Sequence, residues 1–139
     1  WEQKGCPYCR ETHRVNLRIP EVVDYIRKNF VVVQLNLWGD KEVTDFDGQI
    51  ITEKKLARKY RVQFTPTMQF FPAKLEKGSK KPGHKSEIWR LMGYWKPFHF
   101  KNSFVYVREK VYETEPSFQR WLQNLAKKMQ AEGKKVKLW

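Results

Sequence analysis

The sequence predicts an α/β fold, and three observations carry that expectation. A Cys6-Pro7-Tyr8-Cys9 motif stands at the start of a helical stretch. Val31 to Leu37 is β-branched and apolar at alternate positions, the period of a central strand. Met68 to Phe71 and Glu87 to Met92 form a further pair of strand-like runs, with helical segments between and after them.

Taken in order, Arg10 to Leu17 continues the helix that follows the motif. Pro20 then forces a bend, because proline lacks an N–H and restricts the residue before it. Glu21 to Asn29 is a second helix with Val22, Val23 and Ile26 apolar. After the Val31 to Leu37 strand, Trp38 to Gln49 is polar and rich in turn residues (Gly39-Asp40, Asp47-Gly48) and reads as an excursion. Thr52 is placed to cap a helix running to about Tyr60, with Leu56 and Ala57 inward. The Phe64-Thr65-Pro66-Thr67 turn leads into the strand Met68 to Phe71, which pairs as a hairpin with Glu87 to Met92 and closes at Gly93. Between them Ala73 to Ser86 is a long Lys/Gly-rich loop, and its Lys77 to Lys85 run is a solvated charge cluster rather than a specific anion site. Pro97 starts a helix with Phe100, Phe104, Val107 and Val111 along one face, and Thr114 to Pro116 interrupts it. A last helix sets Phe118, Trp121, Leu122, Leu125 and Met129 against Arg120, Lys127 and Lys128, before a basic tail ending at Trp139.

At 139 residues the chain fits one domain with enough apolar side chains for a core that needs no disulfide staple. Its two cysteines are a poor covalent framework and are better explained by reactivity. An excess of 28 Lys and Arg over 15 Asp and Glu favours encounter with acidic partners, anionic surfaces or nucleic acid. No run approaches the roughly 20 apolar residues of a membrane span, and no signal peptide opens the sequence. Trp1 stands five residues before Cys6, which leaves no room for the strand expected to lead into such a helix; a start upstream of Trp1 is the expectation.

The C-x-x-C spacing lets two sulfurs reach each other, and a helix N-terminus supplies unpaired N–H groups and partial positive charge that favour a thiolate. Cys6 is therefore the expected nucleophile and Cys9, one turn deeper, the resolving thiol. Pro7 fits the first helical turn, and Tyr8 flanks the exposed sulfur. A structural disulfide, half of a zinc site, and a three-ligand Cys6/Cys9/His13 site are the competing readings; a surface histidine is the expected fate of His13. No metal or cofactor is expected.

The order of C-x-x-C helix, strand, helix, Thr-Pro turn, hairpin and helix resembles the thioredoxin superfamily, over roughly Trp1 to Tyr112. The resemblance implies a central mixed sheet flanked by helices, lacking its first strand in this sequence. It divides the chain into a thioredoxin-like domain at 1–112 and a helical extension with a basic tail at 113–139. It also implies a cis proline at Pro66 facing the cysteines, with Thr65 presenting its backbone to an extended client segment. More narrowly, Gly5 to Cys9, Trp38 to Gly48, Phe64 to Thr67 with Phe70-Phe71, and Gly93-Tyr94 with Pro97 and Phe100 are similar to the SoxW-like periplasmic thioredoxins of bacterial sulfur-oxidation systems. That similarity implies a periplasmic reductase of protein disulfides that draws electrons from a membrane thiol reductase. Cys-Pro-Tyr-Cys also occurs in glutaredoxins, but their glycine pair and acidic residue for glutathione are not seen near Gly93-Tyr94. By the resemblance, the carboxylate that thioredoxins use as proton acceptor for the second cysteine would lie upstream of Trp1; Glu2 and Glu11 are near in sequence only, and each is expected to face solvent. A polyanion or nucleic-acid module using Lys77 to Lys85, and a zinc-bound regulator, are the competing functions; no groove-reading motif accompanies the charge, so no nucleic-acid partner is expected.

Overall fold

A computed structural model describes residues 1–74 and 83–136. The chain folds as two compact units, the first Trp1–Glu11 with Phe30–Tyr94, the second Thr12–Asn29 with Trp95–Trp139.

In the first unit the sheet is built from short pieces. Strands β1 (Glu42–Thr44) and β2 (Ile50–Thr52) form one antiparallel pair, with Val43 opposite Ile51. Strands β3 (Thr67–Phe70) and β4 (Trp89–Met92) form a second, with Met68 opposite Leu91. The residues before the cysteine motif link β3 to the Leu35–Leu37 segment. The Trp1 main-chain nitrogen donates to Thr67 O at 2.8 Å and Thr67 N donates back to Trp1 O at 3.2 Å. On the other side Glu2 pairs in parallel with Asn36, through Glu2 N to Leu35 O at 2.9 Å and Leu37 N to Glu2 O at 2.8 Å. The expected central mixed sheet is thus present in miniature, as a parallel bridge beside antiparallel pairs.

The expected strand Val31 to Leu37 is corrected to a single parallel bridge at Asn36. A strand is defined by ladder partners, and Glu2 reaches only Leu35 to Leu37, so Val31, Val32 and Val33 run without β-structure and stand 94%, 69% and 70% exposed. The polar excursion is corrected in the other direction, because 38–49 contains β1 and the turn into β2. Asp45 N donates to Gln49 O at 2.8 Å, the Asp47 carboxylate accepts from Gln49 N at 3.0 Å, and Gly48 takes φ +88. That left-handed geometry favours glycine. Val43 and Ile51 turn inward onto a core of Trp1, Leu37, Leu56, Ala57, Tyr60 and Val62.

Helix α3 (Glu53–Lys59) follows β2 directly. Thr52 occupies its N-cap as expected, but its hydroxyl accepts no capping bond. Glu53, 8% exposed, instead turns its carboxylate to Asn36 N at 2.6 Å, tying the helix to the Leu35–Leu37 segment. A Cβ at Gly39 would collide with that carboxylate. Gly39→Ala is expected to destabilise the protein by about 1–3 kcal/mol, because Glu53 must leave Asn36 or the backbone must shift; a chemical denaturation midpoint equal to the wild type would contradict this. Of the lysine-rich loop, residues 75–82 lie outside the described residues, and with them most of the Lys77 to Lys85 run; Gly83–Lys85 forms a 3₁₀ turn with Gly83 buried and His84 and Lys85 exposed. Gly83 packs against the Tyr60 hydroxyl and Asp45 where no side chain would fit.

The second unit is helical. Helix α1 (Pro7–Arg14), whose residues up to Glu11 belong to the first unit, stops short of the expected Leu17, with Asn16–Arg18 forming a 3₁₀ turn, and α2 (Pro20–Asn29) buries Val22 and Ile26. Helix α4 (Pro97–Arg108) buries Phe100, Phe104 and Val107 as expected, with Pro97 at its first turn. Val111 is corrected to a 3₁₀ turn beyond the helix, because Lys110 adopts φ +53 and breaks the spiral. Helix α5 (Phe118–Ala131) is capped by the Ser117 hydroxyl, which accepts from Arg120 N at 3.3 Å. It buries Phe118 and Leu122, together with Ala126. The basic tail at 137–139 lies outside the described residues. No helix among the described residues is long and apolar enough to cross a membrane.

His99 on α4 stacks beside Trp95 with ring centroids 5.5 Å apart and lines a cleft of about 350 Å³ that also takes Lys127 from α5. Burial holds its imidazole below the usual 6.5. The folded state therefore favours neutral His99, and the stability it contributes is present above pH 6.5 and is lost as pH falls through the lower folded value. The melting temperature is expected to fall between pH 7.5 and 5 in the wild type and to fall less in His99→Gln; parallel slopes in the two proteins would contradict this.

Candidate active site: a cysteine pair at a helix N-terminus

Gly5, at φ +77, turns the chain from Glu2 into the start of α1. Pro7 is the first helical residue, where its missing N–H costs nothing. Cys6 N donates to Gln3 O at 3.4 Å and Arg10 N to Cys6 O at 3.2 Å, which leaves Cys6 as the residue at the helix mouth. Cys9 N donates to the Cys6 sulfur at 3.1 Å, so a backbone N–H of the first turn is aimed at that atom. The two cysteines are joined as a disulfide with Cα atoms 5.3 Å apart.

The sulfurs are not equivalent. Cys9 is 5% exposed, whereas Cys6 is half-buried beside exposed Pro7 and Tyr8, the latter 63% exposed. Cys6 is the more approachable sulfur, and the Cys9 N–H directed at it is the kind of first-turn donor that favours a thiolate. His13 is exposed, and among the described residues no group of three or more His, Cys, Asp or Glu side chains is placed to hold a metal.

The Thr65–Pro66 peptide bond is cis, and both residues are buried next to Phe64, which is 47% exposed. The turn is held at both ends. Thr67 Oγ1 donates to Phe64 O at 2.7 Å, and Gly93 N, at the end of β4, donates to Pro66 O at 2.8 Å. Gln3 brings this turn to the cysteine motif: its Nε2 donates to Thr65 Oγ1 at 2.8 Å, and its Oε1 accepts from Trp38 Nε1 at 2.7 Å. Gln3 and Trp38 were invisible as site residues in the sequence; a glutamine beside a motif carries no spacing signal until the fold supplies its partners.

The carboxylates near in sequence play other parts. Glu2 is half-buried and accepts from Gln34 Nε2 at its side chain, and Glu11 is half-buried on α1. Among the described residues the buried acids are Asp45 and Glu53. Glu53 is committed to Asn36, and Asp45 to Lys59 and Tyr60. The Lys59 amine, bonded to Asp45 and Asp47, is held above the usual lysine range, while Lys59 and Gln49 N hold the Asp47 carboxyl below its own. Burial and Asp45 push the Tyr60 phenol far above its ordinary value. A cleft of about 480 Å³ lies over this cluster, lined by Lys59, Tyr60, Arg61, His84, Glu87 and Arg90. It contains neither cysteine, and Arg90 is paired with Glu87 and the carbonyls of Tyr60 and Arg61. It braces the end of α3 rather than serving sulfur chemistry.

A cysteine pair at a helix mouth, with a cis-proline turn tied beside it on a small α/β scaffold, defines the class of dithiol proteins. The family model described as a thioredoxin-like domain matches residues 1–108, and the chain belongs to that family. The fold is similar to the solved structure of a thioredoxin-fold protein from Helicobacter pylori, with a TM-score of 0.63 at 23% identity over 90% of this chain and 75% of that one. At that identity the likeness speaks for fold alone. No curated protein sequence matches the chain.

Proposed function

We propose that this protein is a thiol–disulfide oxidoreductase that reduces disulfides of partner proteins in the bacterial cell envelope. The observation that carries the reading is the asymmetry of the pair: an approachable Cys6 at the helix mouth and a Cys9 that is 5% exposed behind it. In the reduced protein the Cys6 thiolate attacks one sulfur of a client disulfide, forming a mixed disulfide and expelling the other client sulfur as a thiolate, which takes up a proton. Cys9, as its thiolate, then attacks the Cys6 sulfur and releases the second client thiol, leaving Cys6–Cys9 oxidised. Two electrons have passed to the client, and a donor dithiol, proposed to be a membrane thiol reductase, returns them. Exposed Pro7 and Tyr8 flank the approach of the client segment, and Thr65, at the cis-proline turn with Pro66, offers it strand-like backbone pairing.

The net charge of +13 supports acidic clients, since long-range attraction raises the encounter rate of opposite charge. The periplasmic location and a place beside sulfur-oxidation enzymes rest on the segments similar to SoxW-like proteins. The test is reduction of insulin by the wild-type protein with dithiothreitol as electron source, followed by capture with Cys9→Ser. Turnover by the wild type and a covalent, reductant-sensitive adduct on Cys9→Ser are expected. Absence of both would overturn the proposal.

A further inference from the structure

We infer that Gln3 is a positioning residue for the client: its single amide, three residues ahead of Cys6, holds both the cis-proline turn and the Trp38 indole, so that this chain selects extended protein disulfides over small ones. The inference rests on the oxidoreductase reading above and adds to it a residue outside the cysteine and proline motifs.

Three bonds made by one residue carry it. Gln3 O accepts from Cys6 N at 3.4 Å, its Nε2 donates to Thr65 Oγ1 at 2.8 Å, and its Oε1 accepts from Trp38 Nε1 at 2.7 Å. The nucleophile's own backbone, through the Gln3 main-chain carbonyl, and the residue expected to pair with the client and a large aromatic, through its amide, are therefore indexed to one residue.

The aromatic does not behave as core. Trp38 is 64% exposed, and a ring of that size left in water costs apolar hydration unless something covers it during the working cycle. Phe64, adjacent to Thr65, is 47% exposed and Tyr8, adjacent to Cys6's helix turn, 63%. Trp38 is also held by its neighbour Asn36, whose Oδ1 accepts from Trp38 N at 3.0 Å, so the backbone beneath the indole is fixed as well as its edge. An exposed side chain held at both ends is preorganised: ordering it on binding costs less than ordering a freely rotating one.

A small disulfide needs only Cys6 and passes none of this surface. A protein segment must lie along Thr65 and past the indole before its sulfur reaches Cys6. Removing the amide frees both contacts and raises the ordering cost of the segment alone.

The experiment compares wild type, Gln3→Met and Trp38→Phe on two substrates, insulin and 5,5′-dithiobis(2-nitrobenzoic acid), with melting temperatures recorded for each. Gln3→Met keeps the length of the side chain and deletes both amide bonds; Trp38→Phe deletes one bond and leaves Gln3 in place. In Gln3→Met the ratio of kcat/KM for insulin to that for the small disulfide is expected to fall roughly five- to tenfold, the size of one or two lost hydrogen bonds, with the change in KM rather than kcat. Trp38→Phe is expected to lower the ratio in the same direction, and the double variant to fall by less than the product of the two, since the shared bond is lost once. An unchanged ratio in folded Gln3→Met, or a fall carried equally by both substrates, would overturn the inference while leaving the oxidoreductase reading intact. Failure of the wild type on both substrates would instead sink that reading.

Discussion

Cys6→Ser is expected to lower insulin turnover by about three orders of magnitude or more, with no adduct formed on any client. A serine hydroxyl is not ionised near neutral pH and forms no bond equivalent to a disulfide. Cys9 is not expected to substitute for it, because at 5% exposure its sulfur is shielded from an incoming disulfide. Cys9→Ser should lose turnover to a similar extent for a different reason: attack by Cys6 still occurs, and the mixed disulfide then stays. The two variants thus separate by mass spectrometry of the protein after exposure to client. An adduct on Cys6→Ser would reverse the assignment of roles.

Tyr106→Ala is expected to cost the second unit about 3–5 kcal/mol, the range for truncating a fully buried aromatic. Tyr106 is 1% exposed on α4, and its ring meets Phe118 at 5.2 Å and Trp121 at 5.5 Å between centroids, so it is the surface on which α5 seats. Its hydroxyl donates to Glu115 O at 2.7 Å, which fixes the bend that the sequence marks at Thr114 to Pro116. Tyr106→Phe keeps the rings and loses that bond, and is expected to cost only about 1 kcal/mol. Denaturation followed by tryptophan fluorescence measures both; equal costs for the two variants would assign the stability to the hydroxyl rather than to packing.

Tyr106 also marks a limit of reading helices from apolar spacing. Phe100, Phe104 and Val107 stood out because their spacing draws one stripe, and all three are buried. Tyr106 lies off that stripe and is buried by α5, a neighbour that periodicity within one helix does not include. The Val31 to Leu37 run failed for the complementary reason. Its alternation is that of a strand, but backbone pairing decides strand structure, and pairing depends on what lies alongside. Residues 42–52 showed the reverse: Glu42 and Thr44 face solvent and disguise a hairpin whose inward apolar residues are Val43 and Ile51. The Asp47-Gly48 turn was the available signal. The cysteine pair was legible because its chemistry demands a fixed local spacing, whereas the Gln3 link to Thr65 spans 62 positions and has no local signature.

The most direct test of the central claim is limited alkylation of the fully reduced protein with substoichiometric iodoacetamide near neutral pH, read by peptide mapping. The account predicts label on Cys6, with Cys9 protected until the protein is unfolded. Label first on Cys9, or equal label on both, would contradict it.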